Sequence, residues 1–285
     1  AGGGLGREHA LLLASRGAQL VVNDLGGAVD GTGASAGPAQ TVVEEIQAAG
    51  GVAVADTNSV VSKEGGEAMV KTALEAFGRI DIVINNAGIL RDKSFANMTD
   101  ELWDAVVDVH LRGAMCVTRA AWPHLRDQAY GRVVCTSSAV GIFGNFGQAN
   151  YGSAKMGLVG FTRVLAQEGA KCNIRANAIA PVANTRMTEN LLGPLVTKLD
   201  PALVSPVVAW LVSEECPVTG EVFCVGGGRV ARIFVAEGPG FFKKDLNLED
   251  VRDNWADIVA EEGYTVPSSA NDEIGTLVIP NLAES

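Results

Sequence analysis

The sequence predicts a doubly wound α/β fold, in which helices cover both faces of a parallel sheet. Short runs of apolar, β-branched residues alternate with longer segments of helical periodicity, and such continuous apolar strands are typical of parallel sheets buried on both faces. The 34 glycines among the 285 residues are the second observation, because they lie at turns between these segments and not in low-complexity tracts. In folds of this kind the ligand binds at the carboxyl ends of the strands.

Each element is predicted from its own local pattern. We predict strands over residues 19–24, 52–55, 80–85, 131–135, 174–178 and 221–225, and helices over 7–15, 41–49, 64–77, about 100 onwards, 151–169 and 206–213. Thr99 is the expected N-cap of the helix that begins near residue 100, since its hydroxyl can accept a hydrogen bond from a free backbone N–H. Pro123 is expected to end or kink that helix, because proline has no N–H to donate.

The charge balance and the rarer residues exclude several classes of function. With 22 basic and 33 acidic residues the net charge is −11, which argues against nucleic acid or an anionic membrane surface as a partner. No apolar run approaches the ~18–20 residues that span a bilayer. The five cysteines are scattered, as expected of free thiols in a reducing compartment, and three isolated histidines predict no metal site. We therefore expect a soluble, cytoplasmic enzyme.

Tyr151, Lys155 and Ser138 form the most informative pattern. A spacing of i, i+4 places the phenol and the ammonium on one face of a helix. At a separation of ~5 Å and an effective dielectric of ~20, their attraction of about 3 kcal/mol favours the phenolate, so we expect Lys155 to lower the pKa of Tyr151. A hydroxyl such as that of Ser138 can then hold a substrate oxygen. The alternative is a surface tyrosine beside a solvated lysine.

The glycine-rich start of the chain resembles a phosphate-binding turn. Gly2, Gly4, Leu5 and Gly6 lead into a predicted helix, whose free N–H groups can face a pyrophosphate. Asp24 follows 18 residues after Gly6, at the end of the next strand, where a carboxylate can bind ribose hydroxyls and repel a 2′-phosphate. These residues favour NAD over NADP, the alternative being a glycine-rich frayed terminus.

With these residues assembled, the chain resembles the short-chain dehydrogenase/reductase family, which has a Rossmann-like fold. The family's T-G-x-x-x-G-x-G fingerprint would begin two residues before Ala1, so we expect its first strand to precede the given sequence. An intact mass clearly above 29.6 kDa would support that expectation. If the strand were absent, the sheet would lose a central member and cofactor binding should fail.

The resemblance also implies the remaining cofactor residues. The run Asn85-Asn86-Ala87-Gly88 matches the family's N-N-A-G motif on the adenine side, and Asn58-Ser59-Val60 stands where Asp-Val is usual beside the adenine. Ala180-Pro181-Val182 occupies the place of the usual Pro-Gly, and Thr185 and Thr188 are expected near the nicotinamide amide.

The family's catalytic positions fall on Ser138, Tyr151 and Lys155, and the fourth, usually asparagine, is His110. The resemblance implies that His110 supports a proton relay to the lysine. The alternative is a helix histidine satisfied by a backbone carbonyl. Ser137 is a competitor for the catalytic serine, but the spacing favours Ser138.

Several segments resemble one branch of the family, the dehydrogenase unit of peroxisomal multifunctional enzymes of type 2 and its free-standing bacterial relatives. They are residues 23–27, 88–92, 109–113, 144–151 and 251–255. This resemblance implies a bacterial origin, a homodimer or homotetramer, and NAD-dependent oxidation of a (3R)-3-hydroxyacyl-CoA in β-oxidation of fatty acids or steroid side chains. The alternatives are a hydroxysteroid dehydrogenase, a 3-oxoacyl-carrier-protein reductase and a non-catalytic binding subunit.

Two parts of the chain are expected, residues 1–228 as the NAD-binding domain and 229–285 as an extension packed on it. Asn247 is the expected cap of a helix whose apolar face, from Leu248 to Val259, must dock on another surface. That surface is the acyl pocket, a dimer partner or the same subunit. Arg91 and Lys93 could meet CoA phosphates or remain solvated.

Overall fold

Strands and helices alternate along the chain as the sequence predicts. The structure, a computed structural model, describes residues 1–33, 35–185 and 198–279. The strands are β1 Gln19–Asn23, β2 Val52–Asp56, β3 Ile82–Asn85, β4 Gly131–Thr136, β5 Ile174–Pro181, β6 Val222–Gly226 and β7 Arg229–Ile233. The helices among them are α1 Gly4–Ser15, α2 Gly37–Ala48, α3 Lys63–Phe77, α4 Asp100–Val107, α5 Gly113–Asp127, α6 Ala139–Phe143, α7 Ala149–Gly169 and α8 Ser205–Leu211.

The strands form two parallel groups. β1 pairs with β2, with Gln19 opposite Val52. The second sheet has the order β3-β4-β5-β6-β7, and its first four strands run parallel to one another. Every residue of β4 is buried, as expected of a strand covered by helices on both faces. The result is the predicted parallel sheet flanked by helices.

A cavity of about 520 Å³ separates the two groups of strands. Residues 18–23, along β1, line one side of it and residues 79–87, along β3, line the other. In the described structure β1 is hydrogen-bonded along one edge, to β2, and β3 is hydrogen-bonded along one edge, to β4. The first strand, expected ahead of Ala1, stays a prediction.

Two hydrophobic clusters pack the helices against the strands. The first joins α1, α8 and the sheet through Leu13, Val134, Ile179, Val208 and neighbouring residues. The second holds α2 against β1 and β2, with Val42 and Ile46 fully buried. Together they fix the glycine turn before α1 and the carboxyl ends of the strands, which is where the predicted site lies.

The helix that begins at Asp100 differs from the prediction. Thr99 caps it as expected, accepting a hydrogen bond from the N–H of Leu102 at 3.4 Å. The chain then widens into one π-helical turn, Asp108–Arg112, before continuing as α5 through Pro123 to Asp127. The prediction was an end or a kink at Pro123, and the helix does not end there. Proline costs only one bond there, and the next turn is closed by the Gln128 N–H bond to the His124 carbonyl.

The chain divides into two compact units, Ala1–Arg232 and Ile233–Ser285. In the second unit Phe234 stacks on Tyr264 at 5.8 Å between ring centroids, and the main chains of Glu237 and Thr265 exchange two hydrogen bonds. Asn247 caps a helix as predicted, in a capping box with Asp250. That helix is shorter than expected, since the turn at Asn254 splits it into α9 Leu248–Asp253 and α10 Trp255–Ile258; a further helix, α11, spans Ala270–Glu273.

The division of the chain into a domain of residues 1–228 and an extension of residues 229–285 stays a prediction. The same holds for the role of the extension. None of the helices in the described ranges is both long and apolar enough to cross a membrane.

Candidate active site

Ser138, Tyr151 and Lys155 meet at the carboxyl end of β4. Ser138 follows that strand and caps α6, where its Oγ accepts a hydrogen bond from the N–H of Val140 at 3.2 Å. The hydroxyl of Ser138 favours ionisation of the Tyr151 phenol and so acts to lower its pKa, and the Lys155 Nζ lies 5.4 Å from the centre of the Tyr151 ring. Both residues lie in the first two turns of α7, so the helical spacing brings the three side chains together.

Ser137 has a different environment from Ser138. Its hydroxyl donates to the backbone carbonyl of Lys155 at 2.7 Å, and the residue is buried. Successive residues at a strand end face opposite ways, which separates the two serines. Ser137 therefore ties α7 to the end of β4, and Ser138 is the serine that faces Tyr151.

The electrostatics of the pair differ from the expectation. Lys155 is buried and donates to the Thr136 carbonyl, and burial lowers the pKa of Lys155 to about 7, although Cys135 opposes the change. Burial likewise raises the pKa of Tyr151, against the hydrogen bond from Ser138. In the chain alone the pKa of Tyr151 is therefore raised, because removing water disfavours the charged forms of both groups, and the expected lowering by Lys155 stays a prediction.

His110 lies in the π-helical turn and is buried. Its ring meets the Tyr151 ring edge to face, at 5.2 Å and 89°. The Nε2 atom lies 2.9 Å from the carbonyl oxygen of Ile89 and 3.1 Å from its nitrogen, while Nδ1 has no partner among the described groups. Burial, reinforced by Lys155, holds the pKa of His110 well below its usual range, so the ring is neutral. The backbone contact predicted as the alternative is present, and the relay role stays a prediction.

The glycine turn and Asp24 form the next part of the site. Asp24 accepts hydrogen bonds from the N–H of Gly2 at 2.7 Å and of Gly26 at 2.6 Å. A Cβ on Gly2 would lie 2.4 Å from the Pro38 Cβ, so only glycine lets the chain approach this closely. Gly4 begins α1 with φ +52°, a conformation that favours glycine.

Thr185 lies beside this turn, because a Cβ on Gly4 would be 3.5 Å from its methyl carbon. Leu5 contributes its side chain to the core, so only its backbone is available to a ligand. A turn of free N–H groups at a helix start, next to a carboxylate, fits a dinucleotide. Thr188 lies outside the described residues.

The loops after β2 and β3 carry the residues that are expected on the adenine side of the cofactor. Asn58 follows β2, and its N–H donates to Asp56 at 2.9 Å. Ser59 is followed by Val60, whose methyl group lies 2.7 Å from where a Cβ on Gly113 would stand. These contacts join the 58–60 loop to the start of α5.

The 86–88 segment lies between the glycine turn and His110. The side-chain nitrogen of Asn86 lies 2.9 Å from where a Cβ on Gly6 would stand, and Ala87 lies on the wall of the cavity. A Cβ on Gly88 would be 2.4 Å from the His110 ring, so this position requires glycine. Pro181 ends β5 opposite Val225, at the same edge of the sheet.

Asp92, Gln148 and Asn145 lie beside these residues and were assigned no role in the sequence analysis. Gln148 donates to Asp92 at 2.8 Å and accepts from Asn145 at 2.8 Å. The position of Gln148, directly before the helix that carries Tyr151, was the one signal that the sequence offered. Within the described ranges no three His, Cys, Asp or Glu side chains lie close enough to hold a metal ion.

Comparison with known proteins places the chain in one family. The short chain dehydrogenase family profile matches residues 1–193. The chain is 54% identical over 268 residues to a provisionally named short-chain type dehydrogenase/reductase of Mycobacterium tuberculosis, Rv0148, covering 93% of this chain and 94% of the relative. It is 37% identical over 293 residues to the hydroxyacyl-CoA dehydrogenase ChsB1 of the same organism, covering 93% and 89%.

The structure superposes on full-length peroxisomal multifunctional enzyme type 2 of Drosophila melanogaster with a TM-score of 0.83 and 36% identity. That match covers 99% of this chain and 48% of the fly protein. The chain thus spans less than two thirds of the length of the multifunctional enzymes that it matches. It belongs to the short-chain dehydrogenase family and is an oxidoreductase that acts on a CH–OH group with a nicotinamide cofactor.

Proposed function

We propose that this protein oxidises a (3R)-3-hydroxyacyl-CoA to the 3-oxoacyl-CoA, with NAD as the cofactor and Tyr151 as the general base. The contact of Ser138, Tyr151 and Lys155 is the observation that carries the proposal. The acyl-CoA substrate is supported by the relatives named for hydroxyacyl-CoA dehydrogenation and by the multifunctional enzymes of peroxisomes.

The chain's own residues account for the proton chemistry. The hydroxyl of Ser138 donates a hydrogen bond to the substrate oxygen and orients the alcohol. Tyr151, as the phenolate, accepts the hydroxyl proton, and Lys155, whose pKa is about 7, can exchange a proton near neutral pH. When bound, the nicotinamide supplies the hydride acceptor. His110, whose ring meets that of Tyr151 edge to face, supports this exchange.

NAD is favoured over NADP by the carboxylate of Asp24. It stands beside the glycine turn, and its two oxygens already accept backbone N–H groups, so it is held in place. A fixed carboxylate accepts ribose hydroxyls and repels a 2′-phosphate. The other cofactor contacts in the proposal are the glycine turn, the 58–60 and 86–88 loops, Pro181 and Thr185.

Assembly, location and metabolic role belong to the same proposal. A homodimer or homotetramer that acts in β-oxidation of fatty acids or steroid side chains agrees with the family. A location in the cytoplasm agrees with the net charge of −11 and with the five free cysteines. The alternatives are a hydroxysteroid dehydrogenase and a 3-oxoacyl-carrier-protein reductase, and Asp24 argues against the second because that reaction normally uses NADPH.

The test is NAD reduction measured with (3R)- and (3S)-3-hydroxyacyl-CoA of increasing chain length, with steroid side-chain CoA thioesters and with free hydroxysteroids. We expect turnover of the (3R) thioesters with NAD. Tyr151→Phe should lower kcat by at least about a hundredfold while NAD binding, followed by calorimetry, persists. Tyr130→Phe is the control, since Tyr130 stacks on Arg132 away from this site. Turnover of hydroxysteroids alone, or of (3S) thioesters alone, would contradict the proposal.

A further inference from the structure

A line of three polar side chains connects the loop after β3 to the start of α7. Asn145 donates to Gln148, and Gln148 donates to Asp92, each at 2.8 Å, so both ends of the Gln148 amide are used. Gln148 is buried, whereas Asp92 lies at an exposed position. The side-chain link therefore reaches from the surface to the residue directly ahead of the helix that carries Tyr151.

The main chain reinforces this link. The N–H of Lys93 donates to the Gly147 carbonyl at 2.8 Å, and the first turn of α7 is closed by the Gly152 N–H bond to the Gln148 carbonyl at 2.7 Å. The segment next to Asp92 is thus bound to Gly147, and the carbonyl of Gln148 closes the first turn of α7.

Asn150 makes the second anchor. Its amide nitrogen donates to the carbonyls of Arg91 at 3.0 Å and Leu102 at 2.9 Å, and its side-chain oxygen accepts the N–H of Tyr151 at 2.8 Å. The backbone of Tyr151 is therefore positioned from the 91–93 segment through two independent sets of hydrogen bonds.

Three groups lie around the Tyr151 phenol. Lys155 comes from the same helix, Ser138 from the end of β4, and the neutral ring of His110 from the π-helical turn. Asp92, on the loop after β3, is joined to the start of that helix through Gln148. Its carboxylate adds to burial in raising the pKa of Tyr151. Burial also raises the pKa of Asp92 itself, against the hydrogen bond from Gln148.

We propose that Asp92 is a positioning residue for Tyr151: held by Gln148, its carboxylate fixes the start of α7 and places a negative charge beside that first turn. The inference rests on the proposed role of Tyr151 as general base. It makes the acidity of the base depend on the loop that borders the site, and it separates two functions of Asp92, hydrogen bonding and charge.

Asp92→Asn tests the charge alone, because the amide oxygen still accepts the bond from Gln148. The chain has three tyrosines, so Tyr130→Phe and Tyr264→Phe leave Tyr151 as the one phenol whose ionisation appears in the near-ultraviolet spectrum. In that background Asp92→Asn should make Tyr151 titrate at a lower pH, while Asp127→Asn, an exposed carboxylate on α5, should leave the titration unchanged. An unchanged or higher titration pH in the Asp92 variant would overturn the proposal.

Kinetics test the same residue during turnover. For alcohol oxidation kcat/KM should rise with pH, and in Asp92→Asn this rise should occur at lower pH than in the wild type. Below the midpoint of the wild-type profile, kcat/KM of the variant should therefore be about two- to fivefold higher than that of the wild type. The difference should be smaller at high salt. Gln148→Ala frees the start of α7 and should lower kcat by about ten- to a hundredfold with a smaller change in KM. Identical pH profiles for the wild type and Asp92→Asn would contradict the charge function of Asp92. An unchanged kcat in Gln148→Ala would contradict its positioning function.

The two measurements distinguish this inference from the proposed function. The spectroscopic titration needs no substrate, so it reports on Asp92 and Tyr151 even if hydroxyacyl-CoA is not turned over. Failure of the wild-type enzyme on every thioester would refute the substrate proposal, and failure of the titration to respond would refute the role of Asp92.

Discussion

The ammonium group of Lys155 is bound to the carbonyl oxygen of Thr136, the last residue of the strand that leads to Ser138. The side chain is enclosed by β4 and α7, with the whole residue only 3% exposed. Because water is excluded, the charged form is disfavoured and the pKa of Lys155 falls to about 7. A group with this pKa in the folded chain links folding to pH.

The free energy of unfolding should rise with pH above neutrality. Between about pH 7 and the ordinary lysine pKa near 10.4, the unfolded chain binds a proton that folded Lys155 has lost. This group alone should contribute up to about 1.4 kcal/mol per pH unit. Denaturant titrations at about pH 7, 8 and 9 measure the slope, which should be smaller in Lys155→Met. Equal slopes in the two proteins would show that Lys155 titrates normally.

Much of this fold is encoded in short segments. Apolar strands and turn glycines predict the parallel sheet, and Thr99 and Asn247 act as the predicted caps. The π-helical turn at residues 108–112 has no such local signature, since it depends on how His110 fits between Ile89 and Tyr151. The continuation of α5 through Pro123 is likewise decided by packing, which overrides the preference of a single residue.

The candidate site divides in the same way. The i, i+4 spacing of Tyr151 and Lys155 brings the two side chains together in any helix, so the sequence suffices to predict the contact. Their acidity depends on burial, which raises the pKa of Tyr151 and lowers that of Lys155. The hydrogen bond between Asp92 and Gln148 joins residues 56 positions apart, which no local pattern specifies.

Gly88 and His110 should be energetically coupled. A Cβ on Gly88 would stand 2.4 Å from the buried imidazole, so Gly88→Ala should destabilise the protein by about 1–3 kcal/mol. The effect should shrink by at least about 1 kcal/mol when His110→Ala is already present. Gly160→Ala is the matched control, because no atom lies within 4 Å of its would-be Cβ, and it should stabilise α7 by about 0.5–1 kcal/mol. Additive changes in the double variant would mean that the chain relieves the clash elsewhere.

Asp24 should set the choice of cofactor. Asp24→Asn keeps one acceptor oxygen, which can serve the N–H of Gly2 or that of Gly26, and it removes the charge that repels a 2′-phosphate. The ratio of kcat/KM for NAD to that for NADP should fall by about tenfold or more, equivalent to about 1.4 kcal/mol. Steady-state rates with both cofactors measure the ratio, and Asp30→Asn, in the loop after β1, serves as the control. A ratio that stays constant in the Asp24 variant would remove the carboxylate from cofactor discrimination.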